Sequence, residues 1–148
     1  MAVTIWYWQT NPDQQIKKTL VTMAELGSSP AGESSIAKAL KTRRLDEYFS
    51  EDAFIEWPGD EVIPAGRWAG REQIVQQVLA AKNSATYKVE INDLVIEIKQ
   101  RKRAATAKFT LLVREGVNTT WAWLGEARLI KDRGQWLVTQ LAFSSILR

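Results

Sequence analysis

Apolar residues in the first part of the chain recur every three or four positions, which is the spacing of one helix face. The set is Ile16, Leu20, Met23 and Leu26. The helix should begin at Asn11, because an asparagine side chain can cap the first turn and Pro12 suits the first helical position. It should end at the segment "GSSPAG" (27–32), since glycine ends helices and proline cannot continue one.

A second helical segment should run from about Glu33 to Ser50, but its apolar stripe changes phase along the way. The earlier set is Ile36, Ala39 and Leu40, and the later set is Leu45, Tyr48 and Phe49. One straight helix does not place both sets on one face. We therefore expect a break near Lys41 and Thr42, with Thr42 capping a short third helix.

The middle of the chain favours a strand, a loop and another helix. A strand is expected from Ala53 to Trp57, and the Pro-Gly pair that follows favours a turn. Asp60, Glu61, Pro64 and Gly66 should lie in the next loop. A helix should follow Gly70 and end near 82–83. Its apolar residues are Ile74, Val75, Val78 and Leu79.

From Tyr87 onward the pattern alternates as strands do, and turn segments divide it into four strands. In the first of these strands the apolar phase shifts between Ile91 and Leu94. An extra residue at Asn92 or Asp93, forming a β-bulge, would return both halves to the same face. Because every connection is short, the pattern predicts a four-strand antiparallel meander from Tyr87 to Ser145.

The composition of the chain excludes several kinds of catalytic and metal-binding site. A chain of 148 residues with 45% hydrophobic and 25% charged residues fits one globular domain. It contains no histidine and no cysteine, which excludes histidine triads, thiolate nucleophiles and the usual zinc sites. We expect no metal and no cofactor. The net charge of +3 is well short of that of a typical nucleic-acid-binding protein.

The order of elements and two segments carry a resemblance. In "LDEYFSEDAFIEWPG" (45–59) a helix passes into the first strand, and "GRWAGREQIVQQV" (66–78) enters the next helix. The chain from about 14 to 145 resembles the nuclear-transport-factor-2-like superfamily, which includes SnoaL-like polyketide cyclases and ketosteroid isomerase. The resemblance implies an α+β, cystatin-like cone: a curved antiparallel sheet, made of the four-strand meander plus a short first strand, packed on three to four N-terminal and central helices.

The resemblance also implies a pocket open at one end of the cone, with Asp or Tyr side chains in the members that are enzymes. No catalytic position can be matched in this sequence. Tyr48, Trp57, Asp60 and Trp68 are the candidate ligand-binding residues at the pocket mouth, for a small apolar ligand. Asp60 and Glu61 could also form a pair in which one carboxyl raises the pKa of the other, but the favoured interpretation of these adjacent acids is a solvated loop.

Five tryptophans are candidates for lining such a pocket, which in most proteins is apolar and aromatic. They are Trp57, Trp68, Trp121, Trp123 and Trp136. Packing in the core or at a dimer face is the favoured interpretation for most of them. The resemblance implies frequent dimerisation through the sheet, and we expect a homodimer through its outer face.

The segment "KQRKR" (99–103) is the most basic in the chain. It falls between two predicted strands and has no aromatic residues among its charges, unlike typical single-strand nucleic-acid sites. Anionic lipid and nucleic acid are the functional alternatives, but a solvated hairpin tip is the favoured interpretation. No nucleic-acid partner is expected.

The chain begins with the uncharged, aromatic-rich stretch "MAVTIWYWQT". A Trp-Tyr-Trp cluster before polar residues is typical of the interface at the end of a membrane helix. We interpret residues 1–10 as the remnant of a membrane anchor and 11–148 as a single domain, with Met1 an engineered or misassigned start. A transmembrane helix would then end near Trp8, with the domain on the extracytoplasmic side. The alternative is an arm packed on a soluble cytoplasmic domain.

Two classes of function remain. The favoured one is a non-catalytic domain for dimerisation or for protein or ligand binding, tethered to a membrane. The alternative is a small-molecule enzyme of isomerase or cyclase type, or a carrier, that uses the cone pocket. The first is favoured because the acidic residues that such chemistry would require cannot be identified in the sequence.

Overall fold

The computed structural model describes residues 11–57, 65–116 and 119–145. In this part of the chain, three α-helices pack against one curved, open sheet. The elements are α1 Pro12–Gly27, α2 Ser35–Leu45, a 3-10 turn Asp46–Tyr48, β1 Phe49–Trp57, β2 Gly66–Ala69, α3 Arg71–Ser84, β3 Tyr87–Lys99, β4 Ala104–Glu115, β5 Thr119–Asp132 and β6 Gln135–Ser145.

The sheet has the strand order β2-β1-β6-β5-β4-β3. Strands β3 to β6 pair sequentially and antiparallel, which confirms the predicted meander. Strand β1 joins the meander by parallel pairing with β6. The short β2 pairs antiparallel with β1, in a region where the sequence predicted that Gly66 lies in a loop. Four residues are too few for an alternating pattern to indicate a strand. This strand forms because it pairs with β1, which the local sequence does not show.

The first helix follows its predicted boundaries. The Asn11 side chain accepts a hydrogen bond from the backbone N–H of Gln14 at 3.2 Å and so caps the helix. The predicted apolar stripe is buried, with exposed fractions of 7% or less. Local sequence signals and burial agree along this helix, which explains why the prediction holds.

The predicted break near Lys41 and Thr42 is wrong, because α2 is continuous from Ser35 to Leu45. The Thr42 hydroxyl donates a hydrogen bond to the Lys38 carbonyl at 2.7 Å, so it is satisfied inside the helix. The phase change has another cause: Ile36 and Leu40 are 74% and 62% exposed. They are surface residues and belong to no buried stripe.

The predicted bulge is present in β3. The pairing register with β4 shifts between Asn92 and Val95, and Asp93 has a φ of 54°. Val89 and Ile91 before the bulge, and Leu94 after it, therefore all pack against the core. The extra residue keeps one apolar face inward along a strand of 13 residues.

The strand registers arrange the inner face of the sheet as successive rows of side chains. One row joins Ala105 of β4, Leu129 of β5 and Val138 of β6, at most 3% exposed. Further along the strands another row joins Phe109, Gly125 and Phe143. The side chains of the first row are fully buried. The aromatic residues lie toward the opposite end of the strands.

Candidate functional site

A cluster of aromatic rings occupies one end of the inner face of the sheet. Its members come from β1, β2, β4, β5 and β6: Trp57, Trp68, Phe109, Trp121, Trp123 and Phe143. The register places these side chains on the inner face because Trp123 pairs with Leu111, a core residue. We call this set the aromatic end.

Trp57 is at the centre of the aromatic end. Its ring is stacked on that of Phe143, with centroids 4.5 Å apart, and meets the rings of Trp68 and Trp123 edge-on at 5.8 and 5.7 Å. These are the offset and edge-to-face geometries that aromatic pairs prefer. Trp121 lies parallel to Trp123 at 6.3 Å and is 37% exposed. The aromatic end is therefore packed at its centre and accessible at its margin.

The indole N–H of Trp57 is enclosed but has no hydrogen-bond partner among the described residues. A buried indole N–H ordinarily finds an acceptor, since leaving it unpaired costs free energy. The other deeply buried indole follows this rule: Trp136 is 2% exposed, and its Nε1 donates to the side-chain oxygen of Gln15 at 3.1 Å. The Trp57 N–H is thus an enclosed donor, among the rings of the aromatic end, that lacks an acceptor from the described residues.

The structure brings together only part of the predicted site. Trp57 and Trp68 are in contact, whereas Tyr48 precedes the opposite end of β1 and packs on the core there. Along β6, the partners of Phe49 and Glu56 are Val138 and Ala142, only four residues apart, so Tyr48 and Trp57 are separated by roughly 20 Å along the sheet. Asp60 lies outside the described residues. Whether the four residues bind a ligand stays a prediction.

Sequence reasoning missed Phe109 and Phe143, and it grouped Trp136 with the other tryptophans. Trp136 lies at the start of β6, near the beginning of α1, and so at the end of the sheet away from Trp57. No local signal distinguishes these positions, because which rings meet is decided by the pairing of distant strands.

Tyr87 is a titratable residue on the inner side of β3, in phase with Val89 and Ile91. Its backbone exchanges two hydrogen bonds with Ser29, at 2.8 and 2.9 Å, which holds the segment after α1 to the sheet. Burial raises the pKa of Tyr87 to about 12. At neutral pH this hydroxyl is a hydrogen-bond donor and not a base.

A second polar group lies where α1, α2 and α3 meet. Lys82 is fully buried, and its ammonium donates a hydrogen bond to the carbonyl of Leu26, at the end of α1. The Lys82 carbonyl accepts from Ser29 Oγ and from Lys38 Nζ, both at 3.2 Å. The residue thus joins the ends of two helices through both its side chain and its backbone.

Burial, and then the nearby charge of Lys41, lower the pKa of Lys82 to about 8, against a smaller opposing effect of Glu33. Glu33 forms an ion pair with Lys41 at 2.9 Å, and its second oxygen is enclosed without a partner among the described residues. One local signal could have identified Lys82: it follows Ile74 and Val78 at four-residue spacing and so shares their face of α3.

A groove of about 540 Å³ opens on the outer face of the sheet, and its lining also includes Phe109, Gly125 and Phe143. Its side chains include both signs of charge, from Asp93, Lys108 and Glu126, and the apolar Leu124, which is 49% exposed. No three acidic side chains in the described ranges are arranged to hold a metal ion. None of the described helices is long and apolar enough to cross a membrane.

With this geometry established, comparison with known proteins identifies the family. A family model described as a SnoaL-like domain matches residues 38–142. The chain belongs to the SnoaL-like family. The match spans β1 to most of β6, and therefore nearly all of the sheet that carries the aromatic end of this SnoaL-like domain.

Solved structures agree on the fold of this SnoaL-like domain. A nuclear-transport-factor-2-like protein with a cystatin-like fold from Novosphingobium aromaticivorans has a TM-score of 0.71 at 12% identity, covering 97% of this chain and 88% of that one. A protein of unknown function from Mycobacterium tuberculosis has a TM-score of 0.70 at 16% identity, covering 90% and 76%.

A candidate scytalone dehydratase from Novosphingobium aromaticivorans has a TM-score of 0.66 at 12% identity, covering 91% of this chain and 84% of that one. Identities this low establish the shared fold of the SnoaL-like domain and no shared activity. No curated protein matches the sequence significantly.

Proposed function

We propose that this SnoaL-like domain is a non-catalytic binding module whose aromatic end holds a small, planar, apolar ligand with one hydrogen-bond acceptor. The observation that supports it is the unpaired indole N–H of Trp57 among aromatic rings. Ligand sites are mostly apolar with a few polar groups that fix orientation. A carbonyl or ether oxygen on the ligand would supply the acceptor that the described residues do not.

Matched probes test this proposal. 1-Tetralone, a bicyclic aromatic ketone, and tetralin, its analogue without oxygen, have the same size and shape. Calorimetric titration should show tighter binding of 1-tetralone to the native protein. Trp57→Phe keeps a ring but removes the donor, so its affinity for 1-tetralone should fall about three- to tenfold, the value of one hydrogen bond, and its affinity for tetralin should change less.

Trp136→Phe is the matched control, because this tryptophan is at the other end of the sheet and its N–H already has a partner. It should leave both affinities unchanged, with folding checked by circular dichroism. Equal binding of the two probes by the native protein, or equal losses in the two variants, would refute the proposed site.

The alternative is isomerase- or cyclase-type chemistry in the same place. One structurally similar protein is described as a candidate scytalone dehydratase. Reactions of this kind begin with proton abstraction beside a carbonyl. Deuterium incorporation next to the carbonyl of 1-tetralone, faster in D₂O with protein than in buffer and lost in Trp57→Phe, would support the enzyme and contradict the non-catalytic proposal.

The proposal also places the domain at a membrane through residues 1–8. Its support is the uncharged sequence with Trp6, Tyr7 and Trp8, since tryptophan and tyrosine favour the bilayer interface. Fractionation of cells that express the gene tests it. Recovery of the protein in the membrane fraction is expected, and recovery in the soluble fraction would contradict it.

A further inference from the structure

Two hairpin tips and the beginning of α1 meet at the end of the sheet opposite the aromatic end. The backbone N–H of Lys131 donates to the Arg103 carbonyl at 2.8 Å, which joins the β3–β4 and β5–β6 hairpins. Trp136, just after the second tip, is hydrogen-bonded to Gln15 in the first turn of α1. These contacts bring segments far apart in the sequence to one surface.

This surface is strongly cationic. The two hairpins carry six basic residues there, which we call the basic pole: Lys99, Arg101, Lys102, Arg103, Lys131 and Arg133. All except the half-buried Lys131 are exposed, and none of the six forms an ion pair with a described residue. The carboxylates at this end are Asp132 and Asp13 and, on the 3-10 turn whose backbone accepts a hydrogen bond from Gln135, the exposed Glu47. The net charge of the whole chain is only +3. Positive charge is therefore distributed unevenly and is concentrated at the basic pole.

The backbone at the tips also indicates a role for these charges. Arg101, Lys102 and Arg133 have φ values of 56°, 68° and 51°, in the left-handed region that disfavours residues with a Cβ. Glycine and asparagine are the usual residues at such hairpin positions. Charged side chains occupy positions where other residues would stabilise the turns better.

The N-terminal segment joins the domain at the same surface. The described chain begins at Asn11, the cap of α1, and residues 1–10 before it contain no charge but include Trp6, Tyr7 and Trp8. Stable attachment to a bilayer surface usually takes two signals, such as an apolar anchor and a basic patch. In this protein the uncharged N-terminal segment is joined to the domain at the end that carries the basic pole.

We propose that the basic pole docks on an anionic phospholipid bilayer beside the N-terminal segment, leaving the aromatic end directed away from the membrane. This rests on the membrane location proposed above and adds the lipid chemistry and the orientation. Lipid is favoured over nucleic acid because single-stranded nucleic acid is bound by exposed aromatic rings between the cations. Of the described rings at this end of the sheet, Trp136 is buried and Tyr48 packs against the core.

Sedimentation of the full chain with sucrose-loaded vesicles tests the proposal. The vesicles are pure phosphatidylcholine, or phosphatidylcholine with about 30% phosphatidylglycerol, in about 0.1 M and about 1 M NaCl, where the screening length falls from about 10 Å to about 3 Å. Native protein should bind anionic vesicles more tightly than neutral ones, and the high-salt buffer should remove that difference.

The variant Arg101→Asn/Lys102→Asn/Arg133→Asn removes three cations and places a residue that tolerates left-handed backbone at each position, so folding should be preserved. Each cation near an anionic surface contributes about fivefold in affinity. The variant should therefore bind anionic vesicles about 100-fold more weakly, with unchanged binding to neutral vesicles. The control Lys88→Gln/Lys108→Gln/Arg114→Gln removes the same charge elsewhere on β3 and β4 and should retain most of the binding.

Other outcomes separate this proposal from the membrane anchor. Trp6→Ser/Tyr7→Ser/Trp8→Ser should lose binding to neutral vesicles but keep a preference for anionic ones. If that variant behaves as native protein, the anchor is wrong while the basic pole stands. The basic-pole proposal is overturned if its own variant binds anionic vesicles as native protein does, or if native protein binds a single-stranded oligonucleotide more tightly than anionic vesicles.

Discussion

Lys82 has its ammonium group in the interior, where the pKa of about 8 is below the ordinary value of 10.5. Between these two pH values the unfolded chain binds a proton that the folded protein does not, so stability must rise with pH across this window. Tyr87 acts in the opposite direction only above about pH 10, because its pKa is raised to about 12. The window from pH 8 to 10 therefore reports mainly on Lys82.

We expect the free energy of unfolding of the native protein, measured with urea, to gain about 2 kcal/mol between pH 8 and pH 10 relative to Lys82→Met. The comparison cancels the contributions of groups common to both proteins. Lys17→Met, at an exposed position of α1, is the control and should follow the native curve. Parallel curves for native protein and Lys82→Met would show that Lys82 keeps an ordinary pKa.

Gly125 shows how closely the aromatic end is packed. A Cβ at this position would be 2.4 Å from Cε2 and 2.6 Å from Cζ of Phe109. The ring of Phe109 is 5% exposed and meets Phe143 edge-on at 6.3 Å, so it has little room to move. Glycine is required here for the close approach of a ring from the neighbouring strand.

Gly125→Ala should accordingly lower the free energy of unfolding by about 1–3 kcal/mol, as overpacking in a core does. The control is Ala122→Gly, at an exposed position of β5, which changes one methyl group without a clash. Gly134→Ala is unsuitable as a control because Gly134 has a φ of 80°. In a double-mutant cycle, Phe109→Leu should reduce the cost of Gly125→Ala. Additive effects would mean that the two positions do not touch.

At the scale of elements, the bulge in β3 decides which side chains of a long strand reach the core. Asp93 takes the left-handed conformation, and its carboxylate accepts a weak hydrogen bond from Thr110 at 3.4 Å. The side chain is exposed, so substitutions there test the backbone more than the packing.

Asp93→Gly and Asp93→Val both remove the carboxylate but differ in backbone preference. Glycine adopts a positive φ freely, whereas a β-branched residue does not. Asp93→Val should be less stable than Asp93→Gly by about 1–2 kcal/mol in urea unfolding. Val95 is exposed and lies beyond the bulge. There the order should be reversed, with the native valine more stable than Val95→Gly, because valine favours strands. Valine stabilising both sites would argue against the bulge.

At the scale of the whole molecule, the outer face of the sheet presents apolar side chains beside charged ones. Leu124 and Ile130 are 49% and 40% exposed, and Leu124 lines the outer groove with Lys108 and Glu126. Mixed charge with an apolar centre suits a self-complementary contact between two copies.

We expect a homodimer through this face, with at least about 1,000 Å² buried in total. Light scattering over a concentration series should give twice the chain mass, and Leu124→Glu should shift the protein to monomer. Ile36→Glu places the same charge at a residue 74% exposed on α2 and should leave the dimer intact. A native protein that remains monomeric at the highest concentration would remove this prediction.

The elements that the sequence predicted well are those whose signals are local and repeated. Helix α1 has a cap, a proline and four apolar residues in phase, and β3 to β6 alternate over 11 to 14 residues each. The bulge was also predictable, because a phase shift within a strand leaves few other arrangements. The error at Lys41 and Thr42 arose because apolar residues were assumed to be buried, and exposed ones are common on protein surfaces.

By itself, the sequence determined the class of fold, the absence of histidine and cysteine chemistry, and the tryptophans from which part of the site is built. The tertiary structure decided which of them meet, that Tyr48 lies far from Trp57, that Lys82 is buried, and that two basic hairpins share a surface with the start of α1. The physical reason is that periodicity and capping act over a few neighbouring residues, whereas these features depend on contacts between strands and helices far apart in the chain.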